Sequence, residues 1–133
     1  MLRSDPEVNL PSILIVEDDF EIAATIAELL TGSGHVTRTA CNGVEGLRQI
    51  GAAAPDLILL DVEMPILDGP GMAHALATER AGKTPIPIVL VSAARDIEMV
   101  ARRVGTPHYL KKPFSLDRLT KLIDGVLGTR ARR

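Results

Sequence analysis

Three short stretches of the chain are apolar at every position: Ile13-Leu14-Ile15-Val16, Leu57-Ile58-Leu59-Leu60 and Ile88-Val89-Leu90-Val91. A strand with one wet face alternates apolar and polar residues, so unbroken runs of this length predict strands buried on both faces of a parallel sheet. Weaker strands fit Val36 to Ala40 and His108 to Leu110. Between them the apolar spacing becomes helical, as in Ile22, Ile26, Leu29 and Leu30, in Ile97, Val100, Ala101 and Val104, and in Leu116, Leu119, Ile123 and Val126 of a last helix over 115–127. Strand followed by helix, five times over with right-handed crossovers, predicts an α/β doubly wound domain: a five-stranded parallel sheet with helices on both faces. The punctuation agrees. Gly32 and Gly34 close the first helix, Asn42-Gly43 opens the second, and Pro85 and Pro87 precede the fourth strand.

Composition narrows the class. The 133 residues suffice for one core, read as a leader over 1–11, a domain over 12–128 and a basic tail over 129–133. Apolar residues at 46% and charged residues at 24% exclude a disordered or fibrous chain, and aromatics at 2% call for an aliphatic core. A net charge of -2 provides no general basic face for nucleic acid; Arg130, Arg132 and Arg133 read as a solvated end. Cys41, being single, rules out an internal disulfide and reads as a small buried hydrophobe in a reducing cytoplasm. Met1 to Asn9 is a polar leader without a signal peptide's apolar stretch, and no run is long enough to cross a bilayer, so the expected location is cytoplasmic.

In doubly wound sheets ligands bind beyond the carboxyl ends of the strands. Here the first strand runs into Glu17-Asp18-Asp19, the third ends in Asp61, the fourth in Ser92, and the fifth runs into Lys111-Lys112-Pro113. If the first and third strands are neighbours, Glu17, Asp18 and Asp61 converge, and three carboxylates repel unless a cation joins them. Mg²⁺ suits such a place, because it accepts a few carboxylate oxygens and keeps positions for water and phosphate. With Lys112 selecting an anion and Ser92 offering a hydroxyl, the pocket fits a phosphoryl group on Asp61. Each residue also has a plainer reading. Asp18 with Glu21 forms a helix cap and its partner, Asp61 a turn, Ser92 a satisfied polar residue, and Lys111 a solvated one. Tyr109 packs its ring, and His35, His74 and His108 fall on separate elements as structural or exposed residues. The combination at four strand ends favours the chemical reading.

Four stretches carry a family resemblance: Ile13 to Asp19, then Asp61-Val62-Glu63-Met64-Pro65-Ile66-Leu67-Asp68-Gly69, then Val89 to Ala93, then Tyr109-Leu110-Lys111-Lys112-Pro113-Phe114. From about Ser12 to Gly128 the chain resembles a receiver domain of a bacterial two-component response regulator. The resemblance implies the flavodoxin-like strand order 2-1-3-4-5, with Asp61 as phosphoacceptor. Glu17 and Asp18 would be the acidic pair holding Mg²⁺ with Asp61 and the backbone carbonyl of Glu63. Ser92 would bond the phosphoryl group, Lys112 would neutralise it, and Tyr109 would swing inward on activation. The phosphoryl donor would be a sensor histidine kinase or a phosphotransfer protein. A downstream protein would dock on the face of the fourth helix, fifth strand and fifth helix, with no direct nucleic-acid or membrane contact and no catalysis beyond the domain's own phosphorylation and dephosphorylation. The Lys112-Pro113 bond is expected to be cis, in a tight turn that aims Lys112 at the pocket.

Some features depart from the family pattern. The fourth helix region, 93–107, is short, Thr106-Pro107 stands where a small and an acidic residue are usual, and the last helix lacks the paired arginines of dimerising DNA-binding regulators. A stand-alone regulator and a receiver from a longer chain both fit. The alternatives of another class are a receiver-like binding module that takes no phosphate, an aspartyl-phosphate hydrolase and a flavin-binding domain. The intact set Glu17, Asp18, Asp61, Ser92 and Lys112 speaks against the first, chain length against the second, and the acidic first loop against the third.

Overall fold

A computed structural model describes residues 10–131. The ten elements alternate as expected: β1 Ser12–Val16, α1 Phe20–Gly32, β2 Val36–Ala40, α2 Gly43–Ala52, β3 Leu57–Asp61, α3 Gly69–Glu79, β4 Ile88–Ser92, α4 Ile97–Val104, β5 Tyr109–Lys111 and α5 Leu116–Ala131. All strand pairs are parallel, in the order β2-β1-β3-β4-β5.

The apolar runs split by parity between the two faces of the sheet. Ile13, Ile15, Leu57, Leu59, Val89 and Val91 pack with Ala23, Ile26 and Leu30 of α1 and with Leu119, Ile123 and Val126 of α5. Leu14, Val16, Ile58, Leu60 and Leu90 pack on the other face with Ile50, Met72, Leu76 and Ala101 of α2, α3 and α4. Two covered faces are the physical reason these runs contain no polar position, since every side chain leaves water whichever way it points. Each buried Leu or Ile contributes about 1.5–3 kcal/mol, and that burial holds the central strands in place.

Local chemistry sets the helix starts. The Asp19 carboxylate accepts from the amides of Glu21 and Ile22 at 3.0 and 3.1 Å and caps α1. The plainer reading of Asp18 as the cap thus gives way to Asp19, one residue further on, which leaves Asp18 available to the acidic pocket. Capping at Asp19 also phases the helix so that Ala23, Ile26 and Leu30 face the core, while Ile22 is 40% exposed, against the face read from spacing alone. Asn42 caps α2 through the Glu45 amide, and Asp68 caps α3 through the Gly71 amide.

Other expectations are corrected by position. Cys41 is exposed, because buried Ala40 is the last strand residue and the chain turns outward beyond it. The fifth strand is Tyr109–Lys111 rather than 108–110. The last helix runs on to Ala131, because Gly128 lacks the positive φ of a helix-ending cap, so the backbone of Arg130 is helical. The leader at Met1 to Asn9 and the tail residues Arg132 and Arg133 lie outside the described residues. No helix among the described residues is long and apolar enough to cross a membrane.

Candidate functional site

Strand register assembles the site. Val16 pairs with Leu60, so the residues that follow, Glu17 and Asp61, emerge side by side at the carboxyl edge. Asp61 pairs with Val91 and Ser92 with Lys111, which brings Ser92 and Lys112 to the same edge. Backbone bonds carry the ladder one step past the strands: Glu17 donates to the Ala40 carbonyl at 3.0 Å, Val62 to Val91 at 3.1 Å and Lys112 to Ser92 at 2.8 Å. The pocket floor is thus held by the sheet rather than by loose loops.

Glu17, Asp61 and Ser92 are buried, whereas Asp18 is exposed at the rim. Carboxylate oxygens of Glu17, Asp18 and Asp61 lie within 4.8 Å of one another, close enough for one metal ion to bridge all three. The Lys112 ammonium sits 3.3 Å from Glu17 Oε1 and 3.3 Å from Asp61 Oδ1. Glu17 Oε2 accepts from the Asp19 amide at 3.1 Å. Burial, and after it the neighbouring Glu17 carboxylate, raises the Asp61 pKa from 3.8 to about 6, and Lys112 offsets only part of this. Burial pulls the Lys112 ammonium down, but Asp61 and Glu17 outweigh it and raise its pKa. Negative charge is in excess of the one cation, an arrangement that accepts a further cation readily.

Glu17, Asp18, Asp61 and Lys112 meet at this edge, Ser92 is buried at the end of β4 on the same edge, and the Lys112-Pro113 bond is cis. One contact was not foreseen. Ser92 Oγ donates to Glu63 Oε2 at 2.7 Å and accepts from the Ala94 amide at 3.0 Å. Sequence reading assigned the Glu63 backbone carbonyl to the metal and allowed its carboxylate to hold or repel a water, but did not pair that carboxylate with Ser92. Its position two residues after Asp61 was the available signal, but the loop geometry that turns its carboxylate toward β4 is tertiary. Of the remaining candidates, Tyr109 is half-buried against the α3–α4 side of the core, and Lys111 and His74 are exposed. His35 is buried and structural, with Nδ1 3.0 Å from the Leu30 carbonyl.

The loop from β3 to α3 passes close behind the acidic group. Ile66 takes a positive φ of 72°, and the Leu67 amide bonds back to the Pro65 carbonyl at 2.8 Å, a tight turn that a branched residue rarely adopts. A Cβ on Gly69 would stand 2.5 Å from the Asp61 carbonyl oxygen and 3.0 Å from Val62 Cα. Gly69→Ala is therefore expected to lower stability by about 1–3 kcal/mol, because backbone must shift to admit the methyl group. Gly51→Ala on α2, where an added Cβ meets nothing within 4 Å, is the control and should not destabilise. Urea unfolding of both variants checks this, and equal midpoints would refute it.

A cavity of about 1120 Å³ lies elsewhere. It is lined by the end of α3 and the segments before β4 and β5, including Leu76, Arg80, Ile86 and His108, and it shares no residue with the acidic group.

Carboxylates, a hydroxyl and a lysine thus stand at the carboxyl edge of a doubly wound parallel sheet, the edge where such folds bind ligands. The model of the response regulator receiver domain matches residues 13–124, and the chain belongs to that family. It is 34% identical over 128 residues to the transcriptional regulatory protein PrrA of Mycobacterium leprae (strain TN), covering 95% of this chain and 54% of that protein. The chain thus spans about half the length of the curated relatives it matches. Among solved structures, the receiver domain of NtrX from Brucella abortus shares 32% identity with a TM-score of 0.78, over 88% of this chain and 98% of that one. The chemotaxis protein CheY4 of Vibrio cholerae shares 26% identity with a TM-score of 0.80, over 89% and 99%. The domain is a response regulator receiver, the module that works as a phosphorylation-dependent switch in two-component signalling. This family assignment displaces the hydrolase and flavin readings.

Proposed function

We propose that Asp61 is the phosphoacceptor of this receiver and that a sensor histidine kinase or a phosphotransfer protein is its donor. The observation that carries this reading is the Asp61 carboxylate itself, 3% exposed, with Glu17 and Asp18 on one side and the Lys112 ammonium 3.3 Å away. An Asp61 oxygen bonds phosphorus as the phosphorus–nitrogen bond of the donor phosphohistidine breaks, and the bonding pair leaves with the imidazole. Lys112 neutralises the transferred group, and Ser92 donates its hydroxyl to a phosphoryl oxygen.

The donor set fits Mg²⁺, with hard carboxylate oxygens from Glu17, Asp18 and Asp61, and by the family resemblance the Glu63 backbone carbonyl would be a further oxygen. When bound, Mg²⁺ supplies the positive charge that lets an anionic carboxylate meet an anionic phosphate. Incubation with acetyl phosphate, followed by intact mass measurement, tests the reading: one phosphoryl group is gained with Mg²⁺ and none in EDTA.

Phosphorylation draws Ser92 toward the phosphoryl group and Tyr109 inward, shifting the population of one of two arrangements of the face formed by α4, β5 and α5. A downstream protein docks there. The domain catalyses only its own phosphorylation and dephosphorylation, in the cytoplasm, without direct membrane or nucleic-acid contact. Since the relative named a transcriptional regulator is about twice as long, nucleic-acid binding in such a protein is assigned to segments outside this domain.

The phosphorylated form should be long-lived. The residue two places after Ser92 is Ala94, and a methyl group there cannot orient an attacking water. Phosphoprotein decay in Mg²⁺ is expected to quicken several-fold in Ala94→Glu or Ala94→Asn. If both variants decay at the native rate, Ala94 does not set the lifetime.

A further inference from the structure

Ser92 is buried at the centre of the site, and its hydroxyl carries a single proton. That proton is already committed. Ser92 Oγ donates it to Glu63 Oε2 at 2.7 Å, while the Ala94 amide occupies a lone pair of the same oxygen at 3.0 Å. The two bonds together fix the hydroxyl's direction, toward the Glu63 carboxylate in the loop after β3. One donor cannot serve two anionic acceptors at full strength, so a phosphoryl oxygen on Asp61 competes with Glu63 for it.

We propose that Glu63 is a latch on Ser92: its carboxylate holds the hydroxyl in the unphosphorylated arrangement and must release it before Ser92 can bond the phosphoryl group. Glu63 acts through Ser92 and is a positioning residue. The inference rests on Asp61 being the phosphoacceptor. The Glu63 backbone carbonyl would serve the metal on that same reading, whereas its carboxylate bonds Ser92 at the end of β4. Glu63 is exposed, so on release its carboxylate passes into water rather than into a dry interior. The exchange therefore swaps one ionised acceptor for another, and the latch is strong enough to bias the switch and weak enough to open. Proximity is also seen in the charge balance of the site, where Glu63 adds to the forces that keep a proton on Asp61. Repulsion alone is the rival explanation for any effect of Glu63, and chain length separates the two. Glu63→Asp keeps the charge but withdraws the carboxylate by one methylene, beyond the 2.7 Å contact. Glu63→Gln loses the charge but keeps an acceptor oxygen at the same reach.

The experiment is a titration with beryllofluoride in Mg²⁺, a phosphoryl mimic, followed by the NMR signal of the Ala94 amide. The chains are native, Glu63→Asp, Glu63→Ala and Glu63→Gln, each with and without Ser92→Ala. For a latch, Glu63→Asp and Glu63→Ala both tighten binding by about tenfold, the scale of one hydrogen bond to a charged acceptor. Glu63→Gln falls between them and native, and in the Ser92→Ala background the differences vanish. Native-like affinity in Glu63→Asp with equal gains in Glu63→Ala and Glu63→Gln would show charge repulsion and overturn the latch. Gains that persist without the Ser92 hydroxyl would overturn it too. If no chain binds beryllofluoride, the reading of Asp61 fails on its own. The latch is then judged in the unliganded protein, where Ser92 should average over rotamers in Glu63→Asp and Glu63→Ala; a single retained rotamer overturns it.

Discussion

An Asp61→Asn variant is expected to take up no phosphoryl group from acetyl phosphate under conditions where the native chain gains one, and native labelling should stop in EDTA. The amide is isosteric with the carboxylate but carries no anionic oxygen to bond phosphorus, so the effect is a complete loss rather than a slowing. Lys112→Ala separates positioning of charge from nucleophilicity. It removes the ammonium 3.3 Å from Asp61 while leaving the carboxylate in place, and labelling should be slowed by about 10²-fold or more, on the scale of removing one preorganised electrostatic contact. Labelling should also weaken as pH falls below about 6 in limiting Mg²⁺, since protonated Asp61 does not attack. Intact mass spectrometry reads all three. A phosphoryl group retained by the Asp61→Asn chain would move the acceptor to another residue and sink the assignment.

The same substitution should make the metal-free protein more stable. Folding raises the Asp61 pKa from 3.8 to about 6, so between these values the folded chain binds more protons than the unfolded one. Stability attributable to this group is therefore fully present below about pH 4, falls as pH rises from about 4 to 6, and stays low above that. An asparagine has no such loss. Near pH 4 the native and Asp61→Asn chains should unfold at similar urea concentrations, and above pH 6 the variant should be the more stable by about 1–3 kcal/mol. Mg²⁺ should narrow the gap if, as proposed, the folded cluster of Glu17, Asp18 and Asp61 holds it and the unfolded chain does not. A native chain as stable as the variant at pH 8 in EDTA would show that the clustered carboxylates carry no such strain.

Both predictions rest on an arrangement that was partly visible before any coordinates. Three unbroken apolar runs could be explained only by strands covered on both sides, and the sheet bears this out, with odd-numbered residues packed under α1 and α5 and even-numbered ones under α2, α3 and α4. The acidic, hydroxyl and basic residues stood out because each interrupts or ends such a run. A polar group at the end of a buried strand is a deviation that burial by itself would never select. Sequence by itself thus determined the fold class and the residue types at the carboxyl edge.

What it left to tertiary structure was every relation set by a fraction of a helical turn or by a loop. Whether Asp18 or Asp19 caps α1 depends on where the backbone leaves the strand, and that one-residue difference decides which carboxylate stays with the pocket and that Ala23 rather than Ile22 enters the core. Cys41 turned out exposed because strand parity ends at Ala40, a boundary that composition does not mark. The 2.7 Å bond from Ser92 to Glu63 joins residues 29 positions apart, and the same loop turns at Ile66, a residue whose positive φ no propensity would assign. Periodicity reports which side chains leave water, and it is blind to direction once they have left. The direction in which the Glu63 carboxylate and the Ser92 hydroxyl face each other was decided by the packed loop between β3 and α3, after the strands had already met.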